Sequence, residues 1–183
     1  MRTATLYIVF LFLFIPFALS LAKGDKPMSF TITSSSFGNG AVIPKQYTGE
    51  GEDISPELSW SGAPNGTKSF VLICDDPDAP NGTWTHWVAF DIPADLTALK
   101  SGAKKGMPLG HGIKQGHQDF GNVGYQGPMP PRGHGRHRYY FTLYALDCPS
   151  LGIPEGAARS KIEHEMQGHI LAKTQWMGTY ERK

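Results

Sequence analysis

The chain has 183 residues, a length that fits one domain, with 17 basic against 16 acidic side chains and a formal charge of +1. A protein so close to neutral lacks the long-range field that nucleic-acid binding needs, so that class of partner is excluded. Its 22 glycines and 14 prolines leave few stretches long enough for extended helices.

The first segment does not read as part of the domain. Arg2 supplies a positive start and Leu6 to Leu19 form an uncharged apolar run. Small residues at Ala18-Leu19-Ser20 and Ser20-Leu21-Ala22 allow cleavage after Ser20 or Ala22. Residues 1–22 are therefore expected to be a signal peptide, and 23–183 a periplasmic or secreted domain. An uncleaved membrane anchor is the alternative, and a start at Met28 would give a cytoplasmic protein. Without Arg2, basic and acidic residues balance.

Four later runs have strand character, being β-branched and aromatic and bounded by Pro and Gly. They are Phe30 to Thr33, Ser69 to Cys74, Trp84 to Ile92 and His137 to Leu146. Residues 101–136 show no sustained periodicity and are expected to form a long loop packed by its own side chains. One helix is expected near Pro154 to Gly168, with Ala158, Ile162 and Met166 on one face and Gly168 as its stop. A last strand follows, from Ile170 to Tyr180. The class is mostly β with one late α-helix.

Several motifs fail on spacing. His164 and His169 are five apart, which puts them on different helix faces and removes a zinc-protease reading. Asp76, Asp78 and Gly82 do not complete a calcium loop, because Asn81 and Trp87 occupy the positions that need Gly and Glu. His111, His117, His134 and His137 crowd one loop region but match no standard zinc spacing. No metal or cofactor is expected.

Polar groups do concentrate at strand ends. Asp76 follows the apolar run ending at Cys74 and, if that strand persists, shares a face with Phe70, Leu72 and Cys74. His86 opens the next strand, in phase with Val88 and Phe90. His137 and Tyr139 open the longest, in phase with Phe141 and Leu143. An Asp, two His and a Tyr on inward-facing ends would make a small hydrogen-bonding pocket for an anion or an ammonium. The residues equally allow mutual pairing that only ties strand ends together. Arg132, Arg136 and Arg138 flank the region and offer steering of an anion.

The runs Asp76-Pro77-Asp78-Ala79-Pro80, Thr85-His86-Trp87-Val88-Ala89-Phe90-Asp91-Ile92-Pro93 and Gly124 to Leu146 resemble the phosphatidylethanolamine-binding protein family in its bacterial Raf-kinase-inhibitor-like branch. Ser55 to Trp60, Gly168 to Ala172 and Gly178-Thr179-Tyr180 extend the likeness, from about Phe30 to Tyr180. The resemblance implies a β-sandwich with a few short helical turns. It places an anion pocket on Asp76, His86, His137 and Tyr139, with Gly127 and Pro128 on the rim and Asp78 and Pro80 shaping the wall. It implies a binding or regulatory protein, not an enzyme, for phosphate-bearing head groups or phosphorylated partners, with a protein partner or kinase inhibition by analogy. A hydrolase using Asp76 with His86 or His137 as general base is the alternative. Glu57 and Met129 depart from the family pattern and are expected to lie clear of the four pocket residues. If Asp76 and Tyr139 share a pocket, Cys74 and Cys148 lie too far apart along the strands for a disulfide.

Overall fold

In the computed structural model, which describes residues 29–183, the apolar runs of the sequence form the centre of an antiparallel sheet. The expected signal peptide and the alternative start at Met28 lie outside the described residues. In chain order the strands are β1 Thr31–Thr33, β2 Leu58–Ser61, β3 Ser69–Asp76, β4 Trp84–Pro93, β5 Ala98–Leu99, β6 Lys114–Gln115, β7 His137–Leu146 and β8 Ile170–Tyr180. One helix, α1, spans Arg159–Met166, and Lys45–Tyr47 make a single 3₁₀ turn. The larger sheet has the order β6-β4-β3-β7-β8 and the smaller β1-β2-β5, both antiparallel throughout.

The two sheets share one core. Ile32, Leu58, Trp60 and Leu99 of the small sheet pack with Phe70, Leu72, Trp87, Phe141 and Leu143 of the large one. The opposite face of the large sheet carries Val71, Ile73, Val88 and Phe90, covered by Leu151, Ile153 and, from α1, Ile162 and Met166. With both faces covered, β3 and β4 must be apolar at nearly every position, which is why their sequences run without alternation. Truncating Phe70, Trp87 or Phe141 to Ala would cost about 3–5 kcal/mol, because the void between the layers cannot collapse.

The helix is shorter than its sequence pattern predicted. Gly156 is left-handed, with φ of 77°. Its N–H donates to the Gln115 carbonyl at 2.7 Å, and His117 N–H donates to the Ala157 carbonyl at 3.1 Å. These bonds hold the segment beside β6 as a turn outside the helix, so the helix begins only after Ala158. Gly168, with φ of 84°, turns the chain into β8 as expected.

The 101–136 region contains β6 and an isolated bridge between His117 and Val123. It is laid along β4 by main-chain bonds from Gly116 to Val88, Asp119 to Thr85 and Gln126 to His86. At the far end of the sheet, Ser69 Oγ donates to the Cys148 carbonyl at 2.6 Å. Cys74 stands five residues further along β3, about 17 Å away at strand rise, and both thiols are free.

Candidate functional site

Because β3 pairs antiparallel with both β4 and β7, the end of the first meets the beginnings of the other two. This brings Asp76, His86, His137 and Tyr139 to one edge of the sheet, where all four are buried. Strand alternation accounts for three of them: Asp76 continues the Cys74 face, and His137 and Tyr139 continue the Phe141 face.

His86 arrives there by a different route. In phase with Val88 and Phe90 it would face the α1 side of the sheet, away from Asp76. The register slips by one residue here, Cys74 opposing Trp87 while Asp75 opposes Thr85. His86 is the extra residue of this β-bulge, which turns it onto the Trp87 face. Its ring meets the Tyr139 ring edge-on at 5.1 Å between centroids.

The cavity encloses about 240 Å³. Polar atoms come from Asp76, Asn81, His86, His137 and Tyr139, and apolar walls from Pro80, Trp84, Phe120 and Met129 to Pro131. His137 Nδ1–H donates to Asp76 Oδ2 at 2.7 Å, while Asp76 Oδ1 accepts the Asp78 backbone N–H at 2.9 Å. His137 Nε2 lies 2.7 Å from Nδ1 of His134, so the carboxylate is linked through two imidazoles to an exposed side chain. His86 Nδ1–H donates to the Gln126 carbonyl at 2.7 Å, which leaves Nε2 as its free nitrogen.

Burial holds the His86 pKa below its ordinary value, against the hydrogen bond to Gln126 and the Asp76 charge, which favour protonation. Burial, then the Asp76 carboxylate, raises the pKa of the Tyr139 phenol far above its usual range, so it stays a neutral donor. Its hydroxyl has no hydrogen-bond partner of good geometry among the described residues. The buried indole N–H of Trp84, in the cavity wall, also lacks one. Unsatisfied buried donors cost about 1–3 kcal/mol each, a cost a ligand acceptor would remove.

The remaining predicted residues are placed less directly. Pro80 lines the cavity. Asp78 stands behind the wall, held below the usual carboxylate range by Arg138, whose backbone N–H, Nε and Nη2 all donate to it. Gly127 and Pro128 do not line the cavity. The Gly127 N–H donates to Asp53 Oδ1 at 2.6 Å, a Cβ there would overlap the Tyr47 carbonyl, and the Pro128 carbonyl accepts the Gly49 N–H at 3.0 Å. They anchor the segment whose next residues form the wall.

Met129, expected to lie clear of the four pocket residues, is one of those wall residues of the cavity they share. Trp84 and Phe120 were not singled out from sequence, and their rings meet at 5.4 Å. Phe120 is the one phenylalanine in the polar 101–136 region, and that is the signal the sequence offers for it. Among the described residues no arginine or lysine lines the cavity. Arg138 is committed to Asp78, and Arg132 lies 3.9 Å from Glu50.

Comparisons with known proteins agree with this architecture. A model of the family described as phosphatidylethanolamine-binding protein matches residues 33–181. The UPF0098 protein of Aquifex aeolicus is 56% identical over 151 residues, which cover 82% of this chain and 88% of the relative. The crystal structure of Escherichia coli YbcL, described as a new member of the mammalian PEBP family, superimposes with a TM-score of 0.79 at 33% identity, covering 84% of this chain and 99% of that one. A PEBP homologue from Chlamydia trachomatis gives a TM-score of 0.76 at 38% identity, covering 85% and 99%.

Proposed function

The chain belongs to the phosphatidylethanolamine-binding protein family, and on that premise we propose that its pocket binds a small phosphate-bearing group carrying a proton or an ammonium of its own. The observation that carries this reading is the buried Tyr139 hydroxyl, which lies against the Asp76 carboxylate without a well-formed hydrogen bond to it. One is a donor in need of an acceptor; the other is an acceptor that repels a bare dianion. A monoanionic phosphate suits both, taking the Tyr139 O–H on one oxygen and giving its own P–OH to Asp76 or to His86 Nε2. A zwitterionic head group suits them too, with the ammonium on Asp76. The apolar rim of Trp84, Phe120 and Met129 excludes water and strengthens these bonds.

The protein acts in this reading as a binding or regulatory module after export, with residues 1–22 as its signal and a phosphorylated protein as one class of partner. Kinase inhibition is an extension by analogy with the family. A hydrolase reading, with Asp76 and His86 or His137 as general base, gains no support from the comparisons, whose family is described by binding.

Calorimetric titration with inorganic phosphate and with phosphorylethanolamine tests the proposal, on the wild type and on a His86→Ala variant checked for folding. Saturable heat that disappears in the variant is the expected result. A folded wild type that gives no heat with either compound would mean the cluster only ties strand ends together.

A further inference from the structure

At the opposite end of the large sheet, where β7 ends and β8 begins, a second group of polar side chains gathers, and it has a different chemistry. Asp147 and His169 flank the last register pair, Leu146 with Ile170. The Asp147 N–H donates to the His169 carbonyl at 3.0 Å, which fixes the two backbones side by side. His169 N–H in turn donates to the Met166 carbonyl at 3.1 Å. Cys148 follows directly, its carbonyl held by Ser69 Oγ at 2.6 Å. Two main-chain bonds and one from the Ser69 side chain therefore hold the backbones of these residues in place. Their donor atoms, a carboxylate oxygen, a thiol sulfur and an imidazole nitrogen, all lie within 4.8 Å of one another. His169 Nδ1 already contacts Asp147 Oδ1 at 2.7 Å.

We propose that Asp147, Cys148 and His169 form a binding site for one divalent transition-metal ion of the zinc class. The donor set selects the ion: thiolate and imidazole favour a borderline-soft cation and disfavour calcium or magnesium, which take oxygen ligands. One thiolate and one carboxylate would neutralise a doubly charged ion. Bonds of ordinary length around a tetrahedral zinc put ligand atoms about 3.3–3.8 Å apart. The group as it stands needs about 1 Å of contraction at its widest and a small opening between His169 and Asp147. Both of those side chains are 47% exposed, so rotamer changes supply the movement and water takes the fourth position. Binding forms metal–sulfur, metal–nitrogen and metal–oxygen bonds and releases the thiol proton to solvent, with no change of oxidation state. Sequence spacing could not reveal the site, because His169 is brought to Asp147 by strand pairing across the whole of α1.

The site is independent of the pocket reading, and its test reads a signal the pocket cannot produce. Titrating the purified protein with Co²⁺, a spectroscopic stand-in for Zn²⁺, is expected to develop a thiolate-to-cobalt charge-transfer absorption in the near ultraviolet. It saturates at one equivalent and is displaced by Zn²⁺. Cys148→Ser, a conservative change at a half-buried position, should abolish the band. His169→Ala should weaken binding at least tenfold, and His134→Ala should leave it unchanged. Cys74 is 1% exposed and does not compete. No band in the wild type, or a band that survives in Cys148→Ser, would overturn the proposal. So would alkylation of Cys148 at the same rate with and without Zn²⁺.

Discussion

Asp75 and Asp76 are neighbours on β3, yet they face opposite sides of the sheet and meet opposite fates. Asp75 receives Arg159 of α1 through both guanidinium nitrogens, at 2.5 and 3.0 Å, and Arg159 also donates to Thr85 and Glu163. No buried polar atom of that cluster lacks a partner, and its effect is to fasten the helix to the sheet. Asp76 sits in a cluster that is incomplete: Tyr139 has a hydroxyl without a partner and His86 a free ring nitrogen. Two carboxylates of the same strand end are thus told apart by what their neighbours lack. A closed set of hydrogen bonds marks a tie, and an open set in a cavity marks a place for a ligand.

Breaking the closed cluster gives the largest expected effect. Arg159→Leu leaves Asp75 with no cation in a mostly buried setting, and at pH 7 should cost about 3 kcal/mol in urea unfolding, the low end for a broken buried pair because both side chains keep some solvent contact. Affinity for phosphorylethanolamine should not change, since Arg159 lies on the other face. A loss of ligand binding equal to the loss in Asp76 variants would erase the distinction drawn between the two faces.

Acid should act on the two clusters with opposite sign. Burial pushes Asp75 up to about 6, although Arg159 pulls it down. The folded state then binds more protons than the unfolded chain between about pH 4 and 6, so Asp75 makes the protein more stable as pH falls through that window, by about 3 kcal/mol. His86 behaves in reverse. Its folded pKa lies below the unfolded value near 6.5, so the stability it contributes is complete above that pH and is lost as pH falls toward the folded pKa. Unfolding curves from pH 7.5 to 4 should show Asp75→Asn removing an acid-side gain and His86→Gln removing an acid-side loss. Slopes of the same sign in both comparisons would show that one of the two environments has been misread.

How far these clusters could be read in the sequence depends on the range of the interaction that builds them. The boundaries of β7 and β8 follow from apolar runs and their breakers, and Asp76, His137 and Tyr139 take their faces from strand alternation, a local rule. His86 defeats that rule, because the bulge opposite Cys74 and Asp75 is a property of pairing that a single strand does not carry. The start of α1 fails for the same reason. Ala158 fits the helical pattern, but the residues before it are drawn off by main-chain bonds to the β6 segment. Phe120 and Met129 reach the cavity from separate loops, and Gly127 and Pro128 sit one step behind it. Loop packing of that kind leaves no periodic trace.

The smallest expected change in stability belongs to Tyr139→Phe, and it is the sharpest test of the open cluster. The substitution keeps the ring that packs on His86 and removes only the oxygen. With the hydroxyl unpaired in the free protein, its loss relieves about 1–3 kcal/mol of desolvation, offset by lost packing of the oxygen, so the variant should be as stable as the wild type or slightly more so. Ligand affinity should move the other way. A hydrogen bond to a charged phosphate oxygen is worth about 1.5–3 kcal/mol, which corresponds to a roughly 10- to 150-fold weaker Kd for phosphorylethanolamine. A variant that loses stability while keeping its affinity would show that the phenol is a strut, and that the pocket end of β3 is closed in the same sense as the Asp75 side.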